Sequence, residues 1–156
     1  MKNVIVKVNG LIDPLRAIAR KVGEPIFDLA VRLYMANVFF KSGMLKFKNF
    51  LNDDWGSTVF LFDEVHPLPG LPAEVAAIAG TAGELILPVL LAFGLFGRFG
   101  AIGLLVMTAA IQFLIPAEYG MQNAEHYFWM FLLGAIVVRG SGLISLDTLL
   151  LKWIKN

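Results

Sequence analysis

The longest stretch without a charged residue is the feature that most constrains the fold of this chain. It reads FGAIGLLVMTAAIQFLIPA and covers residues 99–117. A helix of this length, rising about 1.5 Å per residue, comes close to spanning a hydrocarbon core about 30 Å thick. The segment lacks the charged face that a helix on the surface of a soluble protein presents to water. It therefore predicts a membrane-spanning helix.

Three other apolar segments extend this pattern to four predicted spans. Composition agrees, because 58% of the residues are hydrophobic and 16% are charged, against about 45 to 50% and about 25% in ordinary soluble domains. We expect an all-α, integral membrane four-helix bundle that forms one domain, residues 26–139; a soluble helical bundle is the alternative. The predicted spans are residues 26–47, 73–97, 99–116 and 124–139.

The charges of the connecting segments predict the orientation of these spans. Lys and Arg are concentrated in the N-terminal arm, in the second connection around Arg98 and at the C-terminal end, whereas the first and third connections carry mainly Asp and Glu. Positively charged loops stay on the cytoplasmic side. We therefore expect a multi-pass protein of the inner (cytoplasmic) membrane with both termini in the cytoplasm.

Both ends of the chain are predicted to form amphipathic helices on the membrane surface. In the arm, residues 1–25, apolar side chains recur at helical spacing, although a solvated arm with chance periodicity is the alternative. In residues 140–156, Ser145 is the expected helix cap, with Asp147 in the first turn. The apolar stripes are Leu11, Leu15, Ile18 and Val22 in the arm, and Leu146, Leu149, Leu150 and Trp153 at the C-terminal end.

The first predicted span carries cations that need partners, because an unpaired charge in a membrane is costly. At 100° per residue, Arg32 and Lys46 share one face of the helix with Phe39 and Gly43, whereas Lys41 lies on nearly the opposite face. Asp28 precedes Arg32 by four residues, which predicts an ion pair between them. Other members of the first face are Asp28 and Ala36, and Tyr34, Asn37 and Lys48 lie with Lys41.

Glu84 lies close to the middle of the second predicted span and also needs a partner. We expect it to be ionised and paired with Arg32 or Lys41, which would hold the first two spans in register. The alternative is a neutral Glu84 whose pKa is raised by burial and which acts as a proton relay.

A layer of polar side chains is predicted toward the outer side of the membrane. It offers hydrogen-bond donors for a carbonyl group, an acceptor for a proton and flat apolar walls, which a quinone head group requires. An ordinary interfacial belt is the alternative reading of its aromatic residues. The layer contains Lys46, Glu74, Gln112, His126 and Trp129, with Glu84 below it.

Other kinds of site find little support in the sequence. The two histidines, His66 and His126, match no ligand motif, and the chain has no cysteine, so we predict no metal site and no intrinsic cofactor. A net charge of +1 with dispersed basic residues argues against a nucleic-acid partner.

Three segments of the chain together resemble a known family. RLYMANVFFKSGMLKF, GELILPVLLAFGLFGRFGAIGLLVM and HYFWMFLLGAIVVRGSGLISLD are similar to the DoxX family of small bacterial four-span membrane proteins, over residues 28–147. The resemblance implies an integral membrane protein of the kind grouped with oxidoreductase systems. Related subunits belong to a thiosulfate:quinone oxidoreductase, and some members assemble with soluble redox partners. The matching positions are Arg32, Ser42, Gly43, Lys46, Glu84, Pro88, Gly94, Arg98, Gly142, Ser145 and Asp147.

Three functions are consistent with these features. The first is a membrane subunit of a quinone-linked redox complex, in which Lys46, Gln112, His126 and Trp129 contact the head group and Glu84 carries protons. A partner protein would then supply the electrons. The second is a non-enzymatic membrane scaffold, or a protein that binds a lipid or another small molecule. The third is a small transporter, in which a homo-oligomer would supply the second half of the transport unit.

Overall fold

The computed structural model describes residues 2–65, 67–68 and 70–155, with side chains from residue 9 onward, so His66 lies outside the described residues. This part of the chain is helical and contains no β-strand, which confirms the predicted all-α class. Two π-helical turns cover Ala19–Gly23 and Leu61–Val65, and a 3₁₀ turn covers Ala117–Tyr119. The helices are α1 (Lys2–Ile18), α2 (Glu24–Leu51), α3 (Trp55–Phe60), α4 (Ala73–Phe93), α5 (Gly97–Phe113), α6 (Ala124–Arg139) and α7 (Leu146–Lys155).

The four long helices α2, α4, α5 and α6 pack side by side with alternating directions. α4 lies against α2 and α5, and α6 lies against α5 and α2. We call the end of the bundle with residues 52–72 and 114–123 the loop end, and the end with residues 94–96 and 140–145 the terminal end. The buried apolar core consists of Met35, Phe39, Leu91, Ala101, Leu104, Leu133 and Ile136.

One helix within the described residues, α4, is long and apolar enough by length and composition to cross a membrane. α5 is also apolar but has 17 residues. The four long helices begin and end within four residues of the segments predicted as spans. That all four cross the bilayer stays a prediction, as does the cytoplasmic position of the termini.

The N-terminal arm joins α2 without a break in the helix at residue 25. The backbone N–H of Glu24 bonds to the carbonyl oxygen of Ala19, five residues earlier, and thereby widens the helix. Pro25 has no N–H to continue the regular ladder, so a wider turn just before it keeps the chain helical. The predicted apolar stripe of the arm, from Leu11 to Val22, is exposed.

The long connection between α2 and α4 folds back onto the bundle. Asn49 of α2 donates a hydrogen bond to the buried hydroxyl of Thr58 in α3, at 3.2 Å. The ring of Phe62 lies over Gly80 of α4, where an added Cβ would be 2.6 Å from the ring. The connection therefore covers one side of α2 and α4 at the loop end.

Two glycines set the spacing of the long helices. A Cβ added to Gly43 of α2 would lie 2.8 Å from Cβ and 2.9 Å from the carbonyl carbon of Glu84 in α4. A Cβ added to Gly100 of α5 would lie 3.0 Å from the carbonyl oxygen of Leu87. Only glycine lets the backbones approach this closely, so these contacts determine how near α2 and α5 lie to α4 at these two positions.

Arg32 at the terminal end is compensated by backbone carbonyl groups. The side chain is 1% exposed, and it donates hydrogen bonds to the carbonyl oxygens of Leu91, Ala92 and Ile144. The last carbonyls of a helix have no partner within the helix and carry partial negative charge. The C-terminus of α4 therefore supplies two of the acceptors of this buried guanidinium group, and Ile144 supplies a third, whereas Nε–H has no partner within the described part of the chain.

The predicted ion pair between Asp28 and Arg32 is wrong, because the two side chains do not contact each other. Asp28 forms its ion pair with Arg139 of α6, at 3.3 Å, whereas Arg32 extends into the bundle toward the end of α4. Asp28 still acts on Arg32 electrostatically, as Asp147 does.

Asp147 caps α5 from a distant part of the chain. Its carboxylate accepts hydrogen bonds from the backbone N–H groups of Phe96 and Gly97, at 2.8 and 3.1 Å, and from the hydroxyl of Ser141 at 2.8 Å. Burial by itself would raise the pKa of the Asp147 carboxyl. The hydrogen bonds and the nearby charge of Arg32 outweigh burial, so the pKa is lower than its ordinary value. The carboxylate thus binds where the α5 macrodipole favours an anion.

Ser145 is the cap of α7, as predicted. Its hydroxyl accepts a hydrogen bond from the backbone N–H of Thr148, at 3.3 Å. The backbone N–H of Asp147 donates to the carbonyl oxygen of Gly94, at 2.9 Å. The second bond ties the start of α7 to the hairpin between α4 and α5.

Candidate functional site

A buried ion pair between Lys46 and Glu84 joins α2 to α4. The Lys46 ammonium lies 2.6 Å from Oε2 of Glu84, and the two side chains are 11% and 9% exposed. Lys46 also donates to the hydroxyl of Ser42, one turn earlier in α2, at 2.8 Å. Glu84 therefore has a cationic partner, as expected, but the partner is neither Arg32 nor Lys41.

Helix geometry explains why Lys46 is the partner. Side chains of an α-helix point toward its N-terminus, so Lys46 reaches back to the level of Gly43, where Glu84 lies. Lys41 is exposed on the opposite face of α2. Arg32 precedes Gly43 by 11 residues, which is roughly 16 Å along the helix and beyond the reach of its side chain.

Gln112 and His126 form a second buried pair, between α5 and α6. Oε1 of Gln112 lies 2.8 Å from Nδ1 of His126. The same oxygen accepts a hydrogen bond from the backbone N–H of Asn123, at 3.2 Å. Gln112 is 7% exposed and His126 is 8% exposed. The pair thus holds the start of α6 against the end of α5.

Trp129 lies one helical turn after His126 and contributes an aromatic wall. Its ring packs edge-on against Phe39 of α2, with 5.9 Å between the centroids, and lies 5.2 Å from the imidazole of His126. Its Nε1–H is buried and has no hydrogen-bond partner among the described residues. An unsatisfied donor in this position is costly.

Glu84, His126 and Trp129 line a cavity of about 360 Å³, which we call the polar cavity. α2 contributes Val38, Phe39 and Ser42, whereas α4 and α5 contribute Glu84 and Ile111. Ligand pockets start at about 300 Å³, so the volume suits a small ligand. The remaining lining residues are Gly120, Met121, Gln122, Asn123, His126 and Trp129.

A second cavity of about 290 Å³ lies on the other side of the ion pair, and we call it the apolar cavity. Lys46 and Glu84 are its charged lining residues, and the rest are apolar side chains or glycine. Glu84 and Ile111 line both cavities. Glu84 therefore lies in the wall between them.

Most of the predicted polar layer comes together. Glu84, His126 and Trp129 line the polar cavity, Lys46 binds Glu84, and Gln112 binds His126. Glu74, in contrast, is exposed and lines neither cavity. The role of the residues of the polar layer in ligand binding stays a prediction.

Three polar residues of the site, Ser42, Gln122 and Asn123, were not predicted as ligand-binding residues from the sequence. Gln122 donates to the carbonyl oxygen of Ile115, at 2.8 Å. Ser42 lies four residues before Lys46, and this spacing was a usable signal for a hydrogen bond along α2. Asn123 binds Gln112 through its backbone N–H, for which no side-chain pattern gives a signal. Among the described residues, no group of three His, Cys, Asp or Glu side chains could hold a metal ion.

The long helices pack as an all-α bundle around a buried ion pair. The DoxX family model matches residues 27–117, more than half of the chain. The chain therefore belongs to the DoxX family and is a membrane protein. No curated protein and no solved structure gave a match. The matched range includes Lys46, Glu84 and Gln112, whereas His126 and Trp129 lie beyond it.

Proposed function

We propose that this protein is a membrane subunit of a quinone-linked redox complex and that the polar cavity binds the quinone head group. In this proposal the four long helices cross the inner membrane, and the cavity lies toward its outer side. The observation that carries the proposal is that polar side chains from three helices, Ser42 of α2, Glu84 of α4 and His126 of α6, line one cavity of about 360 Å³.

The chemistry of the cavity supports a flat head group that exchanges protons. Phe39 and Trp129 provide aromatic walls. The buried Nε1–H of Trp129 has no partner among the residues that the structure describes, and a carbonyl oxygen of the ligand could accept its hydrogen bond. His126 and Glu84 are titratable groups that could hold or pass protons. The chain has no cysteine, so we propose that a soluble redox partner supplies the electrons.

The apolar cavity supports a second candidate function, which is the binding of a lipid chain by a membrane scaffold without redox activity. Its lining is apolar except for Lys46 and Glu84. An acyl chain would fit this lining, with its polar end at the ion pair. In this case the polar cavity would bind only a lipid head group or water.

Tryptophan fluorescence offers a test, because quinones quench an indole that they contact. The chain has three tryptophans. In lipid nanodiscs, we would titrate a short-chain naphthoquinone into a Trp55→Phe, Trp153→Phe variant, which retains Trp129. A Trp55→Phe, Trp129→Phe variant, which retains the exposed Trp153, is the matched control.

Saturable quenching of Trp129, with only linear quenching of Trp153, is the expected result. Linear quenching of both tryptophans would contradict the proposal. Mass spectrometry of the purified protein then separates the two candidates, since quinone should co-purify in the first and phospholipid without quinone in the second.

A further inference from the structure

The orientation of the Gln112 amide follows from its contacts. A backbone N–H can only donate a hydrogen bond, so the Gln112 atom that faces the N–H of Asn123, at 3.2 Å, must be the oxygen. The same atom faces Nδ1 of His126, at 2.8 Å. Oxygen has no proton to give, and Nδ1 must therefore carry the hydrogen of this bond.

We propose that Gln112 holds neutral His126 as the tautomer with the proton on Nδ1, so that Nε2 accepts a hydrogen bond from a ligand hydroxyl group. Neutral imidazole has one donor and one acceptor nitrogen. Nε2 has no partner among the described residues, and the His126 ring lines the polar cavity. Gln112 is a positioning residue in this arrangement, because it acts on the ligand only through His126.

The ligand class follows from the cavity around this nitrogen. The polar cavity has a volume near the lower limit for ligand pockets and one wall formed by the rings of Phe39 and Trp129. A flat aromatic ring with a free hydroxyl group fits both features. This inference rests on the proposed function and specifies it, because the hydroxyl form of a quinone-type ligand would bind in preference to a form that lacks the O–H.

The tautomer itself can be measured without any ligand. We would label the histidines with ¹⁵N and record NMR spectra of the protein in nanodiscs at a pH of about 8, above the ordinary histidine pKa of about 6.5. A His66→Gln variant assigns the signals of His126. We expect a protonated Nδ1 and an unprotonated Nε2, and a protonated Nε2 in the wild-type protein would overturn the proposal.

Two variants of Gln112 separate positioning from a merely structural role. Gln112→Glu keeps an acceptor at the same place and should keep the tautomer. Gln112→Met has a similar size but no strong acceptor, so we expect Nε2 to become protonated in part of the molecules. Spectra of Gln112→Met identical to those of the wild type would overturn the role of Gln112, whereas a changed tautomer in a folded variant supports it.

A pair of ligands tests the hydroxyl preference. The probes are 2-naphthol and its methyl ether, which share the ring but differ in the O–H group. We expect 2-naphthol to bind about tenfold more tightly to the wild-type protein, as one hydrogen bond to a buried acceptor implies. This preference should disappear in His126→Phe. Equal affinities, or binding of neither probe, would contradict the inference even where quinone binding is established. A retained preference without any quinone binding would contradict the proposed function alone.

Discussion

Lys46 and Arg32 lie on the same buried face of α2, but different groups compensate their charges. Lys46 binds a carboxylate in the middle of α4. Arg32 binds backbone carbonyl oxygens, two of which belong to residues at the C-terminal end of α4. The arginine has no ionised side chain in direct contact; the end of α4 supplies partial negative charge, and Asp28 and Asp147 add their charges from a distance. The lysine arrangement places an ionisable carboxyl group beside both cavities.

Replacing Lys46 with Met should therefore destabilise the protein strongly. The variant leaves the carboxyl group of Glu84 buried without its partner, and the loss of one member of a buried pair costs about 3 to 5 kcal/mol of unfolding free energy. Denaturant-induced unfolding in detergent micelles measures this loss. Lys41→Met is the matched control, because Lys41 lies in the same helix and is exposed.

A Lys46→Met, Glu84→Gln double variant should recover much of the lost stability, since no charge is then left buried alone. Equal losses for Lys46→Met and Lys41→Met would contradict the importance of the pair. A double variant whose loss of unfolding free energy equals the sum of the losses of the two single variants would contradict it as well.

The long helices depend on contacts at a few points along their length. Gly43 allows α2 to touch the backbone of α4 at Glu84, and this contact brings Lys46 within reach of the carboxylate. Asp147 acts at the terminal end, where it binds the first N–H groups of α5 and joins α7 to the bundle. Each contact connects elements that are distant in the sequence.

Replacing Gly43 with Ala should separate α2 from α4. The added Cβ would meet backbone and Cβ atoms of Glu84 at less than 3 Å, and such overpacking costs about 1 to 3 kcal/mol. Thermal unfolding measures the loss. Gly134→Ala in α6 is the control, because nothing lies within 4 Å of its added Cβ, and alanine there should be neutral or stabilising. Loss of stability only in Gly134→Ala would contradict the packing described for α2.

Asp147 should make the stability of the fold depend on acid pH. Because its pKa is lower in the folded protein than its ordinary value of 3.8, the charge stabilises the fold fully above that value. This stabilisation is lost as the pH falls through the folded pKa. Asp147→Asn should cost about 1 kcal/mol at neutral pH. The difference between the variant and the wild type should shrink below a pH of about 4.

Unfolding measured between neutral and acid pH tests this dependence. The exposed Asp63 provides the control, since Asp63→Asn should leave stability nearly unchanged across the range. A difference for Asp147→Asn that stays constant down to strongly acid pH would show that the carboxylate charge does not matter.

The sequence predicted the face of α2 but not the partner of Glu84. Helical spacing correctly separated Arg32 and Lys46 from Lys41, because burial follows the period of 3.6 residues. The same spacing on its own does not show which level of α4 lies beside which level of α2. That level depends on the contact between Gly43 and Glu84, which is a property of two helices together. For the same reason the sequence placed Gln112 and His126 in one layer without revealing the bond of Gln112 to the backbone of Asn123.

At the scale of the whole molecule, large apolar side chains cover the outside of the bundle. They include Phe27, Phe93, Phe113 and Phe131, each more than 60% exposed. A surface of this kind is suited to lipid, as expected of a membrane protein of the DoxX family. We expect the basic residues near both termini, together with Arg98, to keep the terminal end on the cytoplasmic side.

Single cysteines test the proposed orientation without background, because the chain has none of its own. Glu118→Cys lies at the loop end and Lys152→Cys lies in α7, and both positions are exposed. In intact cells, a membrane-impermeant thiol reagent should label Glu118→Cys, whereas Lys152→Cys should react only after the cells are opened. The opposite pattern would reverse the orientation, and labelling of both in intact cells would contradict the prediction that α6 crosses the membrane.

Glu84 lies between the polar cavity and the apolar cavity, so we expect ligands bound in the two cavities to be thermodynamically linked. A ligand that changes the ionisation of this carboxyl group, or its bond with Lys46, in one cavity alters the wall of the other. By reciprocity, the second ligand must then change the affinity of the first by the same factor. Titration of a head-group analogue in the presence and absence of a fatty acid would measure that factor. A value of one would mean that the shared carboxyl group acts as an inert partition.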